Sequence, residues 1–216
     1  MSNKLNEITG HKMAGLTMDL MSKLRDGVID VKEFENFLIM PKDERRKIFG
    51  IVNPKINLLD SNVVVRELVE EINFQRHFTK NKNVKYYLGD NFVKQVLNPA
   101  KNIKRLPGMS FSKHQFTETI YDKEIMENFS ISKTSGLMSR EEILWTIADL
   151  TSRQPKGEAG ALINDGNWTI IGYMLCDDGV VRVVCVRWDA DRGVWYCRCR
   201  DLDGWCAGRG VLSRNK

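Results

Sequence analysis

Long hydrophobic runs are missing from this chain. No stretch approaches the ~18 consecutive apolar residues needed to cross a bilayer as a helix, so no membrane partner is expected. Met1 to Gly10 is polar, with no apolar signal core behind it, which points to a cytoplasmic protein. Histidine is scarce too. His11, His77 and His114 lie far apart, and none sits beside a Cys, Asp or Ser in a familiar catalytic signature. A His114 pair with Cys176 or Cys206 could form only through the fold, because such partners meet in space. Cysteine is absent from the first 175 residues, then appears at Cys176, Cys185, Cys197, Cys199 and Cys206. An odd count in a chain this long is a poor disulfide framework, so reduced thiols are expected. The two Asn-x-Ser/Thr sites, at Asn128 and Asn167, then carry no meaning as glycosylation sites.

Metal and phosphate motifs are equally thin. There is no Cys-x-x-Cys knuckle, and the one close pair, Cys197-x-Cys199, reads as two small hydrophobes on one side of a strand. Lys156-Gly157-Glu158-Ala159-Gly160 lacks the Gly-Lys-Ser/Thr ending of a phosphate loop. It reads as a flexible connector. No cofactor, metal or catalytic residue is therefore expected, and the chain reads as a non-enzymatic binding or adaptor module.

What is present is an ordinary globular composition, 42% hydrophobic and 28% charged over 216 residues, enough for a packed core. Periodicity of three and four places Met13, Leu16, Leu20, Met21 and Leu24 on one helical face over Lys12 to Arg25. Asp26-Gly27 ends that helix, and Asp30 with Glu33 caps a second over Val31 to Met40, whose stripe is Phe34, Phe37 and Leu38. Pro41 stops it and opens a third over Lys42 to Phe49. The helix-turn-helix resemblance of the first two is opposed by Glu33 and Glu35 on the second, and an αα-hairpin is expected.

Further on, a helix through Val63, Leu68, Val69 and Ile72 is preferred to a strand, although Val63-Val64-Val65 argues the other way. Val84 to Leu88 suits a strand, Asn91 to Leu97 a helix, and Asn98 to Ser112 a linker containing Pro99, Pro107 and Gly108. Tyr121 to Phe129 reads as a helix. Ser139 with Glu142 forms a capping box for a helix over Ser139 to Ser152, with Ile143, Leu144, Ile147 and Leu150 as its apolar stripe. The last quarter alternates. Trp168 to Cys176, Val180 to Trp188, Val194 to Arg200 and a weaker Gly204 to Leu212 are separated by Asp- and Gly-rich turns. The expected fold class is α+β, with a helical basic region over 1–105. A helix and an antiparallel β-meander of three to four strands fill 113–216.

Charge is uneven. Residues 1–110 hold 19 Lys and Arg against 13 Asp and Glu, whereas the remainder holds 14 against 15. Between Arg76 and Arg105 the cations Arg76, Lys80, Lys82, Lys85, Lys94, Lys101, Lys104 and Arg105 face one acid, Asp90, and are interleaved with Phe78, Tyr86, Tyr87 and Phe92. Cations beside stacking rings are what a nucleic-acid strand requires. This stretch, with Tyr86 and Tyr87 split between the two sides of a strand, is the first candidate site. Nucleic acid is its expected partner. A second candidate is the solvent side of the terminal sheet, where Arg182 or Arg187, Arg198, Arg200 and Tyr196 could line a platform. A charged outer face also serves solubility. A protein-interaction module using that sheet, with a protein partner, is the alternative function.

Two stretches carry a resemblance. Lys23-Leu24-Arg25-Asp26-Gly27 through Glu44-Arg45-Arg46-Lys47-Ile48-Phe49-Gly50, and the ending Trp205-Cys206-Ala207-Gly208-Arg209-Gly210-Val211-Leu212-Ser213-Arg214-Asn215, are similar to uncharacterised small bacterial proteins of reduced-genome candidate phyla. The resemblance covers the two ends of the chain. It implies a bacterial cytoplasmic origin and transfers no site.

Overall fold

A computed structural model describes residues 10–39 and 55–215, and the chain divides into two compact units, Met1–Asn53 and Pro54–Lys216. The first unit contains α1 (Gly10–Arg25) and α2 (Val31–Ile39). Gly27, at φ +70°, makes the turn between them, a left-handed position that glycine takes without a Cβ clash. Asp30 accepts from the Glu33 amide at 2.9 Å, satisfying one of the open donors at the start of α2. Leu38, expected on a buried stripe, is exposed. The helix expected over Lys42–Phe49 lies outside the described residues.

The second unit is built on one mixed sheet of seven strands. They are β1 (Ile56–Val65), β2 (Tyr86–Leu88), β3 (Met109–Phe116), β5 (Thr169–Leu175), β6 (Val181–Asp189), β7 (Val194–Arg200) and β9 (Gly210–Arg214), in the order β1-β3-β9-β5-β6-β7-β2. β5, β6 and β7 form the antiparallel meander. The final segment does not continue it. Gly204–Trp205 becomes β8, pairing with β4 (Ile120–Tyr121) in a separate ribbon, while β9 runs parallel to β5 and antiparallel to β3. β2 joins the opposite edge, parallel to β7.

Residues 56–65 form a strand, which takes in Val63 at the start of the helix expected through Val63, Leu68, Val69 and Ile72. Three consecutive β-branched residues lose rotamer freedom in a helix, and β3 offers Ile56 to Val65 a ladder. The segment expected as a linker also takes part in the sheet unit, since Ile103 and Leu106 bridge to Ile72 and Leu68, and β3 starts at Met109. The expected division into 1–105 and 113–216 therefore runs through one sheet.

One face of the sheet buries α3 (Phe74–Lys80), α4 (Asp90–Phe92) with its π-helical continuation Val93–Leu97, and α6 (Arg140–Ser152). Phe74, Phe78, Phe92, Leu144 and Ile147 meet Val184, Val186, Trp195, Cys197 and Leu212 there. The capping box begins α6 as its sequence requires, with the Glu142 amide donating to Ser139 Oγ at 3.1 Å and the Ser139 amide to Glu142 Oε2 at 2.8 Å. On the other face, Ile170, Tyr173, Val183 and Cys185 pack against α5 (Asp122–Asn128) and the β4–β8 ribbon through Ile120, Ile125 and Trp205. A bulge between Ile170 and Gly172 lets Ile170 and Tyr173, three apart, share that face.

The loop after α6 is tied down. Gln154, buried, donates to Glu158 O (2.6 Å) and Leu162 O (3.2 Å), accepts from the Leu162 amide (2.9 Å), and its own carbonyl accepts from Trp195 Nε1 at 2.8 Å. The segment Lys156–Gly160, expected as a flexible connector, packs on Trp188 and Gln154 so closely that a Cβ on Gly157 would lie 2.3 Å from the indole. Among the described residues, no helix is long and apolar enough to cross a membrane.

Candidate functional site

Strand alternation sorts the side chains of β7. Trp195, Cys197 and Cys199 enter the helix-covered core, so Tyr196, Arg198 and Arg200 emerge on the opposite face. Register then aligns them with their neighbours. Tyr87 of β2 lies opposite Tyr196, which lies opposite Arg187 of β6. One step along, Val186 faces Thr169, which brings Trp168, just before β5, beside Arg187. The result is one row across four adjacent strands: Tyr87, Tyr196, Arg187, Trp168.

The row is in contact along its length. Tyr87 and Tyr196 meet edge to face at 4.7 Å, and Trp168 and Tyr196 lie 5.3 Å apart at 52°. The Arg187 guanidinium stands 5.1 Å from the Trp168 centroid and 5.5 Å from that of Tyr196, within reach of the ring quadrupoles. Arg187 Nε is buried without a hydrogen-bond partner among the described residues, and the carboxylate of Asp189 is 3.9 Å from its guanidinium. Arg192, in the β6–β7 turn, stands 5.6 Å from the Tyr87 ring. Tyr87 is 47% exposed, while Tyr196, Arg187 and Trp168 are half-buried.

Beside the row, Arg200 and Arg209 stand 4.1 and 5.7 Å from the Trp205 ring. Trp205 is fixed from behind by Asp122, whose Oδ1 accepts from Trp205 Nε1 and from Tyr173 O–H, each at 2.7 Å, and whose Oδ2 accepts from the Asp203 amide at 2.7 Å. Burial and the Asp122 carboxylate push the Tyr173 hydroxyl far above the usual range, so it stays a donor. Arg200 pairs with Asp203 at 3.3 Å and Asp122 at 3.8 Å. Among the described residues, no carboxylate lies within ion-pair distance of Arg192, Arg198 or Arg209.

No family model, curated protein or solved structure matches this chain.

The basic stretch of the sequence is distributed over several elements. Arg76 and Lys80 lie on α3, Lys82 and Lys85 on the loop into β2, Lys94 on the π-helical turn, and Lys101, Lys104 and Arg105 on the approach to β3; all eight are exposed. Arg105 pairs with Glu67 at 2.9 Å. Phe78 and Phe92 are core residues. Tyr86 points inward, against Phe78 at 4.7 Å, and donates to Thr151 Oγ1 at 2.6 Å while Thr151 donates to Ile147 O. Tyr87 alone of these rings reaches the open sheet face. Trp168, Arg192 and Arg209 were not singled out as site residues. They lie outside β7, and the alternation in that strand does not give the register that brings its neighbours and turns alongside.

The cysteines fit a hydrophobic role. Burial pushes the thiols of Cys185 and Cys199 up to about 12 and that of Cys197 well above its usual value. Cys176 is buried too, and Cys206 is exposed. Among the described residues, no group of three His, Cys, Asp or Glu could hold a metal ion.

His114 makes its contact with neither Cys nor Asp. Its Nε2 lies 2.8 Å from Ser213 Oγ, and Ser213 lines a cavity of about 610 Å³. A general base would need Nε2 unprotonated, which puts the proton on Nδ1. That atom is buried without a partner, and an orphaned N–H costs about 1–3 kcal/mol. The other tautomer leaves the Nδ1 lone pair without a partner instead, and burial lowers the pKa of the ring.

Proposed function

We propose that the protein is a non-enzymatic binding module whose open sheet face takes a single strand of nucleic acid. The observation that carries the reading is the row Tyr87–Tyr196–Arg187–Trp168 flanked by the unpaired cations Arg192, Arg198 and Arg209. Bases stack on rings and on guanidinium planes whatever their identity, and guanidiniums neutralise phosphates. The rings are held by a rigid sheet, so little ordering entropy is lost on binding.

Fluorescence anisotropy with a labelled single-stranded oligonucleotide tests this. Affinity should fall with salt, with a log–log slope of about −2 if three phosphates are neutralised at ~0.7 each. Tyr196→Ala should cost roughly 1–3 kcal/mol of binding. Absence of binding at low salt would remove the proposal. So would equal displacement by polyglutamate, which has charge but no bases and would favour the protein-interaction alternative.

A further inference from the structure

At one end of the aromatic row the sheet face dips into a small cavity of about 170 Å³, lined in part by Trp168, Arg198, Arg200, Asp203, Trp205 and Arg209. It lies below the ~300 Å³ at which pockets for whole small molecules begin. A nucleoside does not fit, but a single tetrahedral anion with a few waters does, at ~30 Å³ of liquid volume per water.

The charges divide into two sets. Arg200 is committed to the fold: it pairs with Asp203 and Asp122, stacks on Trp205 and donates to the carbonyl oxygens of Asp201 and Gly204, each at 3.4 Å. Arg198 and Arg209 make no ion pair, and no guanidinium hydrogen bond, among the described residues. Asp203 and Asp122 together more than offset Arg200, and the guanidiniums of Arg198 and Arg209 are the two left without a carboxylate partner among the described residues. An internal phosphodiester carries one negative charge, whereas a terminal phosphate monoester carries about −1.5 to −2 at pH 7. A monoester, bonded to the strand on one side only, can enter a cavity too small for a nucleoside, and it there meets two guanidiniums that have no carboxylate partner.

We propose that this cavity is a receptor for a terminal phosphate monoester of the bound strand, held by the guanidiniums of Arg198 and Arg209. The inference rests on the single-strand reading of the adjoining row. Guanidinium forks suit phosphate oxygens in geometry, and two of them on one monoester supply several charge-assisted hydrogen bonds. The shared chemistry is the monoester itself, whichever end of the strand bears it.

The test measures affinities of one oligonucleotide in three forms, with a 5′-phosphate, with a 3′-phosphate and with both ends as hydroxyls, and of inorganic phosphate alone. One phosphorylated form should bind at least tenfold more tightly than the hydroxyl form. Arg198→Gln and Arg209→Gln should each erase that difference, read within each variant as the ratio of its affinities for the phosphorylated and hydroxyl forms. Circular dichroism and an unchanged unfolding midpoint establish that the variants fold. Equal affinity for all three forms overturns the inference and leaves the single-strand reading in place. If no oligonucleotide binds but inorganic phosphate does, and Arg198→Gln abolishes it, the anion receptor stands and the strand reading falls. If neither binds, both fall.

Discussion

Removing the Asp122 carboxylate strands three donors at once: the Trp205 indole, the Tyr173 hydroxyl and the Asp203 amide. Arg200, at 3.8 Å, would lose part of its charge balance in the same step. Breaking a buried charged network in this way costs about 3–5 kcal/mol, so Asp122→Ala should lower the unfolding free energy read from urea denaturation by an amount in that range, and a loss below about 1 kcal/mol would contradict the assignment. The thiols give a second check at this scale. With Cys185, Cys197 and Cys199 held above their usual pKa by burial and Cys176 also enclosed, Ellman's reagent at pH 8 should titrate one thiol, Cys206, in the native protein and five after unfolding. Individual residues were legible where a strand period applied. Tyr86 and Tyr87 fall on opposite sides of β2 because neighbours in a strand must, and Tyr196 and Arg198 emerge together for the same reason.

Among the elements, α6 owes its start to a side chain, since Ser139 Oγ takes the Glu142 amide proton. Ser139→Ala should cost about 1 kcal/mol, readable in thermal unfolding. Gly157 is a stricter constraint. It combines φ +72° with a space that Trp188 already fills, so Gly157→Ala should destabilise by about 1–3 kcal/mol, with a change in Trp fluorescence as Trp188 shifts. The capping box and the three- and four-residue stripe make α6 readable from sequence, and runs rich in Val, Ile, Trp, Tyr and Cys between Asp- and Gly-rich turns do the same for β5 to β7, with two-residue alternation clear in β7. β1 was misread because Leu68, Val69 and Ile72 extend a helical spacing past Val63, although the chain leaves the strand at Val65. The last segment was read as one strand, but Cys206 to Arg209 turn the chain between β8 and β9. Which partner each short piece finds is decided by strands almost a hundred residues away.

At the scale of the molecule, the α+β class was legible and the mixed topology was not. The parallel pairings β2–β7 and β5–β9 leave no local signature, because they join segments related only through the rest of the fold. The aromatic row was hidden for the same reason: three of its four residues sit on different strands from Tyr196, and only register aligns them. The chain's division at Asn53 implies that residues 54–216 fold alone. Expressed from Pro54, this piece should unfold in one cooperative transition and bind oligonucleotide as the full chain does; loss of the transition would show that the sheet unit needs the first 53 residues. The most direct measurement is photo-crosslinking of a single-stranded oligonucleotide carrying 5-iodouracil, with the adducts mapped by mass spectrometry. Adducts on Tyr87, Trp168 and Tyr196 are predicted. Adducts confined to the lysine-bearing segments between Arg76 and Arg105, with none on the sheet face, would contradict the account.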